Sequence, residues 1–265
     1  MNILKELGLL ALPRSCAGCG AWDTALCGAC QERLAGRWRE VSARAPYLLR
    51  VLPADAASPG LDRPGDAVPL FPVYALGPYR DERRRTIIHW KNVNDAALSR
   101  AIAAIVTERV VALAGGERSA PSTAAPISVV PAPSRRSRTR DGRFVAGILA
   151  AAVVMGLRRA GWDADVHNCL RQQPPPPADL LRARMPRRGG GQRNRRTKTR
   201  RINLKPNASV PAGGIVVVDD VLTTGATLAG CAEALDPTRV AFAVVLAAAA
   251  DPRERNDSVT SATKR

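Results

Sequence analysis

The sequence predicts an α/β fold: a doubly wound parallel sheet with a small cysteine-rich module at its N-terminal end. Three observations lead there. Residues 215–218 read Ile-Val-Val-Val, an unbroken β-branched run of the kind that forms a strand covered on both faces. Further apolar strand segments at 73–76, 127–130, 164–170 and 240–248 are interleaved with helical ones, the alternation that builds βαβ units. Near the start, Cys16, Cys19, Cys27 and Cys30 fall as two Cys-x-x-Cys hooks.

In chain order, residues 1–13 read as a short helix and 14–38 as the cysteine module, with Trp22 and Trp38 packing around it. Residues 53–68, rich in Pro, Gly, Ala and Asp, read as a linker. The expected units are therefore an N-terminal module at 1–52, an α/β domain at 69–250 and a polar, disordered tail at 251–265. Residues 73–76 read as a strand, and 81–91 as a helix with Ile87 and Ile88 inward. Asp95 is placed to cap the next helix, which runs to about residue 113, because a short carboxylate accepts from the free amides of a first turn. After a surface loop at 115–126, residues 127–130 open the core, 144–160 supply the crossover helix and 164–170 the next strand. His167, His89, Cys169 and Cys231 read as core residues. Residues 172–211 hold four consecutive prolines, three consecutive glycines and an arginine run, so no packed element is expected there. A stretch that long is a lid or an insertion. The strand at 215–220, a helix ending at Leu235 and a buried strand at 240–248 complete the domain.

Composition sets the bounds. At 265 residues, 46% of them apolar, the chain has room for one α/β domain and a small module. The longest apolar run, 144–157, is too short to cross a bilayer. No secretory signal is evident, so the expectation is a cytoplasmic protein without a membrane span. The net charge of +17 and a pI near 11.0 favour polyanions as partners. Eleven Lys or Arg and no acid lie between Arg182 and Lys205, and Arg135, Arg136, Arg138, Arg140 and Arg143 form a second cluster. A third, at Arg80, Arg83, Arg84 and Arg85, is partly offset by Asp81 and Glu82.

Two motifs carry chemistry. The cysteine hooks have the spacing of a tetrahedral Cys₄ zinc site, each hook giving two thiolates from one turn. Two disulfides or a redox dithiol are the alternatives; a cytosolic chain keeps its thiols reduced, which favours metal. With all four positions filled by protein, such a zinc is structural. The second motif is Asp219-Asp220 at the end of the strand, followed by Val221, Leu222, Thr223, Thr224, Gly225, Ala226 and Thr227. Gly225 allows the chain to turn, and the helix that follows offers free amides and partial positive charge to a phosphate. The acids repel phosphate, so they are expected to meet sugar hydroxyls or Mg²⁺. A ribose carrying a 5′-phosphate satisfies every group. The plainer alternative is a receiver-like acid pair or an ordinary strand-to-helix joint.

This segment resembles the phosphoribosyl pyrophosphate (PRPP) signature of type I phosphoribosyltransferases. The resemblance implies that Asp219 and Asp220 hold ribose, that residues 221–227 wrap the 5′-phosphate, and that Mg²⁺ accompanies PRPP. Zinc-ribbon hooks first and a PRPP loop last is the layout of the ComF family of competence proteins, which this chain resembles over about residues 5–248. Intermediate landmarks agree: Tyr74-Ala-Leu-Gly-Pro-Tyr79, Ile87-Ile88-His89-Trp90-Lys91, Val130-Pro131-Ala132-Pro133, and Gln192, Arg200 and Asn203. In place of the family's usual Arg-Gly-Phe-Asn-Gln, Arg140 is followed by Asp141-Gly142-Arg143-Phe144. By analogy with related transferases, Ser134, Arg135 and Arg136 are positioned for pyrophosphate, and Arg200 on the closing loop for the leaving group.

Two functions follow as expectations. One is PRPP-dependent transfer of a phosphoribosyl group to a nitrogen acceptor, through an oxocarbenium-like state stabilised by electrostatics and positioning. The other, implied by the ComF resemblance, is a non-catalytic role in uptake of single-stranded DNA beside a helicase and recombination proteins, with the sugar-phosphate cleft regulatory.

Overall fold

The computed structural model describes residues 14–51, 67–115, 126–134, 141–173 and 201–250. The expected helix at 1–13, the tail at 251–265 and residues Arg135, Arg136, Gln192 and Arg200 lie outside the described residues, as does most of the 53–68 segment.

A six-stranded sheet runs through the centre. Its spatial order is β1 (Arg39–Glu40), β4 (Val73–Ala75), β10 (Val240–Ala248), β9 (Ile215–Leu222), β5 (Ile127–Pro131) and β6 (Ala164–Val166). Every neighbouring pair is parallel except β1 with β4. Two antiparallel pairs sit outside it, β2 (Leu49–Val51) with β3 (Ala67–Pro69) and β7 (Leu170–Gln172) with β8 (Ile202–Leu204). The helices are α1 (Gly28–Leu34), α2 (Asp81–Asn92), α3 (Ala96–Ala114), α4 (Val145–Arg159) and α5 (Ala226–Leu235).

Strand β9 shows why the sheet is covered on both sides. Its side chains alternate, so Val216 and Val218 join one apolar core, and Ile215 and Val217 join the other. The first core is closed by α2, α3 and α4, the second by α5, the β7–β8 pair and residues 45–48. Helices α3 and α4 cross closely at Gly156, where an added methyl would lie 2.6 Å from Val110 Cβ. Asp95 caps α3 as the sequence predicts, its Oδ1 accepting from the amides of Ala97 at 2.8 Å and Leu98 at 3.1 Å.

Chain order creates a switch point. Strand β5 leads through α4 to β6 on one side, whereas β9 leads through α5 to β10 on the other. Connections that depart in opposite directions leave a crevice between β5 and β9 at their carboxyl ends, where ligands of open α/β sheets bind. The ladder between these strands ends at Pro131 opposite Val218, closed by the Ala132 amide donating to the Val218 carbonyl at 2.8 Å. On its other side β9 continues to Leu222 opposite Ala248. Asp219 to Leu222 therefore run past the end of β5 along a strand edge that it has left.

Several expectations are corrected. The strand at 164–170 stops at Val166; the chain then leaves the sheet, and Leu170 starts the β7–β8 pair. The described end of 172–211 is consequently not structureless, since Ile202 is buried with Leu170 beneath α5. His167 sits at that departure and is exposed rather than in the core, and His89 is half-buried. Trp22 does not pack on the cysteine module but stands 69% exposed. Trp38 does pack, donating its indole N–H to the Arg109 carbonyl on α3 at 2.8 Å. Residues 39–40, within the N-terminal 1–52 segment, supply the edge strand β1 of the central sheet.

Candidate functional site

The acid pair is held from two directions. Asp220 is buried, and its carboxylate accepts an ion-pair hydrogen bond from Lys91 Nζ at 2.8 Å. Lys91 reaches it from the last turn of α2. Asp219 is half-buried, and its Oδ1 accepts from the Asp220 amide at 2.8 Å, which folds that side chain back along the strand.

Three residues further on the chain turns. Thr223 is exposed and Thr224 half-buried; Gly225, at φ 80°, occupies the left-handed region that only glycine adopts readily. Helix α5 starts at Ala226, and a glycine cap gives its first amides no side-chain acceptor, so they remain available to an anion. Leu222 and Ala226 turn their side chains into the protein, so only their backbone can serve a ligand; Thr227 is half-buried at the helix start.

The loop rests on a segment to which the sequence reading gave no role. A methyl at Gly225 would lie 2.9 Å from Ala45 Cβ and 3.3 Å from Leu48 Cγ, and the Tyr47 amide donates to the Thr224 carbonyl at 3.1 Å. Ser42 anchors that segment to the sheet: its buried hydroxyl accepts from the Val73 amide and donates to Glu40, both at 2.9 Å. On the β5 side, Ser134 is half-buried two residues past Ala132, where the turn peels away from Val218. The structure thus brings together Asp219, Asp220 and residues 221–227, with Ser134 across the ladder end.

The four module cysteines converge. All four Sγ atoms lie within 4.8 Å of one another, with Cys19 and Cys27 at 3.5 Å. A ZnS₄ tetrahedron with Zn–S bonds near 2.3 Å has S···S edges of roughly 3.8 Å, so the donor set fits zinc. Burial pushes the Cys16 thiol up, but amide donors from Cys19, Cys27 and Gly18 outweigh it and bring it down to about 6. Cys30 goes the other way, raised by burial and by the three neighbouring sulfurs. Gly18 keeps the hook open, since a methyl there would sit 2.6 Å from Cys30 Sγ. Helix α2 clamps the module through Arg85 Nε donating to the Gly18 carbonyl at 2.6 Å and Arg33 pairing with Glu82 at 3.0 Å. Among the described residues these cysteines form the only cluster of three or more possible metal ligands.

The acid pair fits Mg²⁺ poorly. A dication on the Asp220 carboxylate would face the Lys91 ammonium, a like charge on the same acceptor. The sequence marked Lys91 as the end of a helix and of one landmark of the ComF resemblance, with no sign of its partner. Its pairing with a residue 129 positions later is a tertiary fact with no local signature.

Fold and site together define an α/β protein with a switch point in its sheet, an acid pair, an uncapped helix start and a cluster of four cysteines able to hold a metal ion. Among the described residues no helix is long and apolar enough to cross a membrane. Comparison with protein-family models gives no match, and comparison with curated proteins gives none either.

Proposed function

We propose that this chain is a sugar-phosphate-binding protein of the type I phosphoribosyltransferase kind and a member of the ComF family. It binds PRPP in the crevice and transfers the phosphoribosyl group to a nitrogen acceptor. The observation that carries this reading is one juxtaposition: an acid pair, then a positive-φ glycine, then uncapped helix amides, all beside the β5–β9 crevice. In this assignment the amides and hydroxyls of residues 223–227 receive the 5′-phosphate, and the acid pair receives the ribose hydroxyls. By the same resemblance, Ser134 and, outside the described residues, Arg135, Arg136 and Arg200 are assigned to the pyrophosphate. A bond forms from the acceptor nitrogen to the anomeric carbon as the bond to pyrophosphate oxygen breaks, and cationic side chains offset the charge on that leaving group. The cysteine module holds a structural zinc.

PRPP at about 100 times its dissociation constant should stabilise the fold by about 2.7 kcal/mol, a rise of about 5 °C or more in melting temperature. The double variant Asp219→Ala with Asp220→Ala should lose that rise. No shift in the intact protein at millimolar PRPP counts against the reading. Isotope exchange between pyrophosphate and PRPP, run with a panel of nitrogenous bases, then separates a catalyst from a binder.

A second reading, handling of single-stranded DNA, is favoured by Trp22, 69% exposed on the metal module of a chain with net charge +17. Exposed aromatics stack on bases, and cationic side chains release counterions from phosphates. Replacing Trp22 by Ala should weaken binding of a single-stranded oligonucleotide about tenfold without changing its salt slope. Unchanged affinity retires this role for Trp22.

A further inference from the structure

We propose that Lys91 is a built-in counter-ion for the acid pair and takes the place of a divalent cation there, so that ribose 5-phosphate binds this crevice without Mg²⁺. The inference rests on the sugar-phosphate reading of the crevice and adds to it which group balances its charge.

Lys91 is not a wandering surface lysine. Its ammonium and the Asp220 carboxylate are 2.8 Å apart, with side chains only 22% and 12% exposed. The helix that carries it is fixed on both sides of the contact. Ile87 and Trp90 are buried, and the Trp90 indole N–H donates to Ser99 Oγ at 2.8 Å. Just beyond, the Val93 amide closes the helix by donating to the His89 carbonyl at 2.8 Å, and Arg143 donates to the Asn92 carbonyl at 3.4 Å. The carbonyl end of a helix favours a cation, so α2 supports the charge that Asp220 receives.

Charge decides the consequence. Two adjacent carboxylates close to a phosphate cradle would repel the ligand's phosphate and attract a hard dication, which binds through one or two carboxylates. With Lys91 in place the three side chains carry a net charge of −1 instead of −2. One carboxylate is already neutralised, and the ribose hydroxyls are uncharged. The pair then needs no metal to admit a sugar phosphate. Lys91 is a positioning residue in this account, acting through Asp220.

Two measurements on zinc-loaded protein test it, both in buffers freed of Mg²⁺ by dialysis without chelator so that the cysteine site keeps its metal. In calorimetric titration with ribose 5-phosphate, the wild type should bind equally well with and without millimolar Mg²⁺. Lys91→Met should lose about tenfold or more in metal-free buffer and recover part of it with Mg²⁺, because removal of one partner leaves a shielded charge unpaired. Lys91→Arg, which keeps the charge, should follow the wild type. In the second measurement, Mn²⁺ is titrated in the absence of ligand and followed by electron paramagnetic resonance. The wild type should show no site that depends on Asp220, whereas Lys91→Met should gain one that disappears when Asp220→Asn is added. Wild-type binding of ribose 5-phosphate that requires Mg²⁺ would overturn the proposal, as would a wild-type Mn²⁺ site abolished by Asp220→Asn. These wild-type arms decide the matter even where Lys91→Met does not fold. Failure of ribose 5-phosphate to bind under either condition would instead sink the sugar-phosphate reading, and the Mn²⁺ titration would still judge Lys91.

Discussion

Replacing Gly225 by Ala tests the turn at residues 223–227 and its packing on residues 45–48 with a magnitude that the structure supplies. Two costs add. The residue sits at φ 80°, where an L side chain costs about 1–2 kcal/mol. Its new methyl would also lie 2.9 Å from Ala45 Cβ, a contact between two short side chains that backbone movement alone can relieve, for about 1–3 kcal/mol. The sum is about 2–5 kcal/mol, which at about 2–4 °C per kcal/mol for a chain of this size lowers the melting temperature by about 4–20 °C. Two controls separate the costs. Gly161 has φ +86° with nothing within 4 Å of an added methyl, so Gly161→Ala should show the backbone cost alone. Gly214→Ala meets nothing within 4 Å, and its change should stay within about 0.5 kcal/mol. Thermal melts followed by circular dichroism read all three. Should Gly225→Ala melt within about 2 °C of Gly161→Ala, the close contact between residues 45–48 and the loop would be refuted.

Other consequences can be checked together. Native mass spectrometry should find one zinc per chain; Gly18→Val, which drives a side chain into Cys30 Sγ across a 2.6 Å gap, should lose it, and retention of zinc would contradict the hook geometry. Zinc affinity should rise with pH, because the thiolates are the ligands. In the metal-free protein Cys16, lowered from 9.0 to about 6, favours the folded state fully above pH 9.0, and that contribution fades as pH falls through about 6. Cys30, raised, acts in the opposite sense: its contribution is present below 9.0 and is lost as pH climbs through its higher folded value. Zinc titrated into metal-free protein between these limits should release the Cys30 proton, and a pH indicator that registers no release would refute the assignment. Asp95→Ala should cost about 1 kcal/mol by uncapping α3 while zinc content stays the same; an unchanged melt would show that the cap is idle.

Much of this molecule was legible because its signals are local. The β-branched run at 215–218, the Asp95 cap and the final strand, which spans Val240–Ala248 as predicted, depend on residues within one element. So does the cysteine spacing, which brings four sulfurs within 4.8 Å. What escaped depends on partners far along the chain. Strand β1 has two residues, too few to show a period, and exists because Arg39 and Glu40 meet Ala75 and Tyr74. Strands β7 and β8 pair Leu170 with Leu204 across a segment whose prolines and arginines dominate any local reading. Trp22 was expected to pack because tryptophan usually does, yet burial belongs to the tertiary surroundings rather than to the residue type. The candidate site divides in the same way. Its loop is written in consecutive residues, whereas its floor at Ala45 and Leu48 and its counter-ion at Lys91 come from elsewhere.

That division has a physical consequence. The loop at residues 223–227 leans on residues 45–48, those residues hang from the sheet through Ser42, and the cysteine module grips α2, which delivers Lys91 to Asp220. The N-terminal module is therefore part of the framework that shapes the crevice.

Amide chemical shifts recorded while ribose 5-phosphate is titrated into deuterated, ¹⁵N-labelled protein test the central claim most directly. The account predicts that Thr224, Gly225, Ala226 and Thr227 move first and furthest, with Asp219 and Asp220 following the same saturation curve. Saturable shifts centred elsewhere, with those amides still, would contradict it.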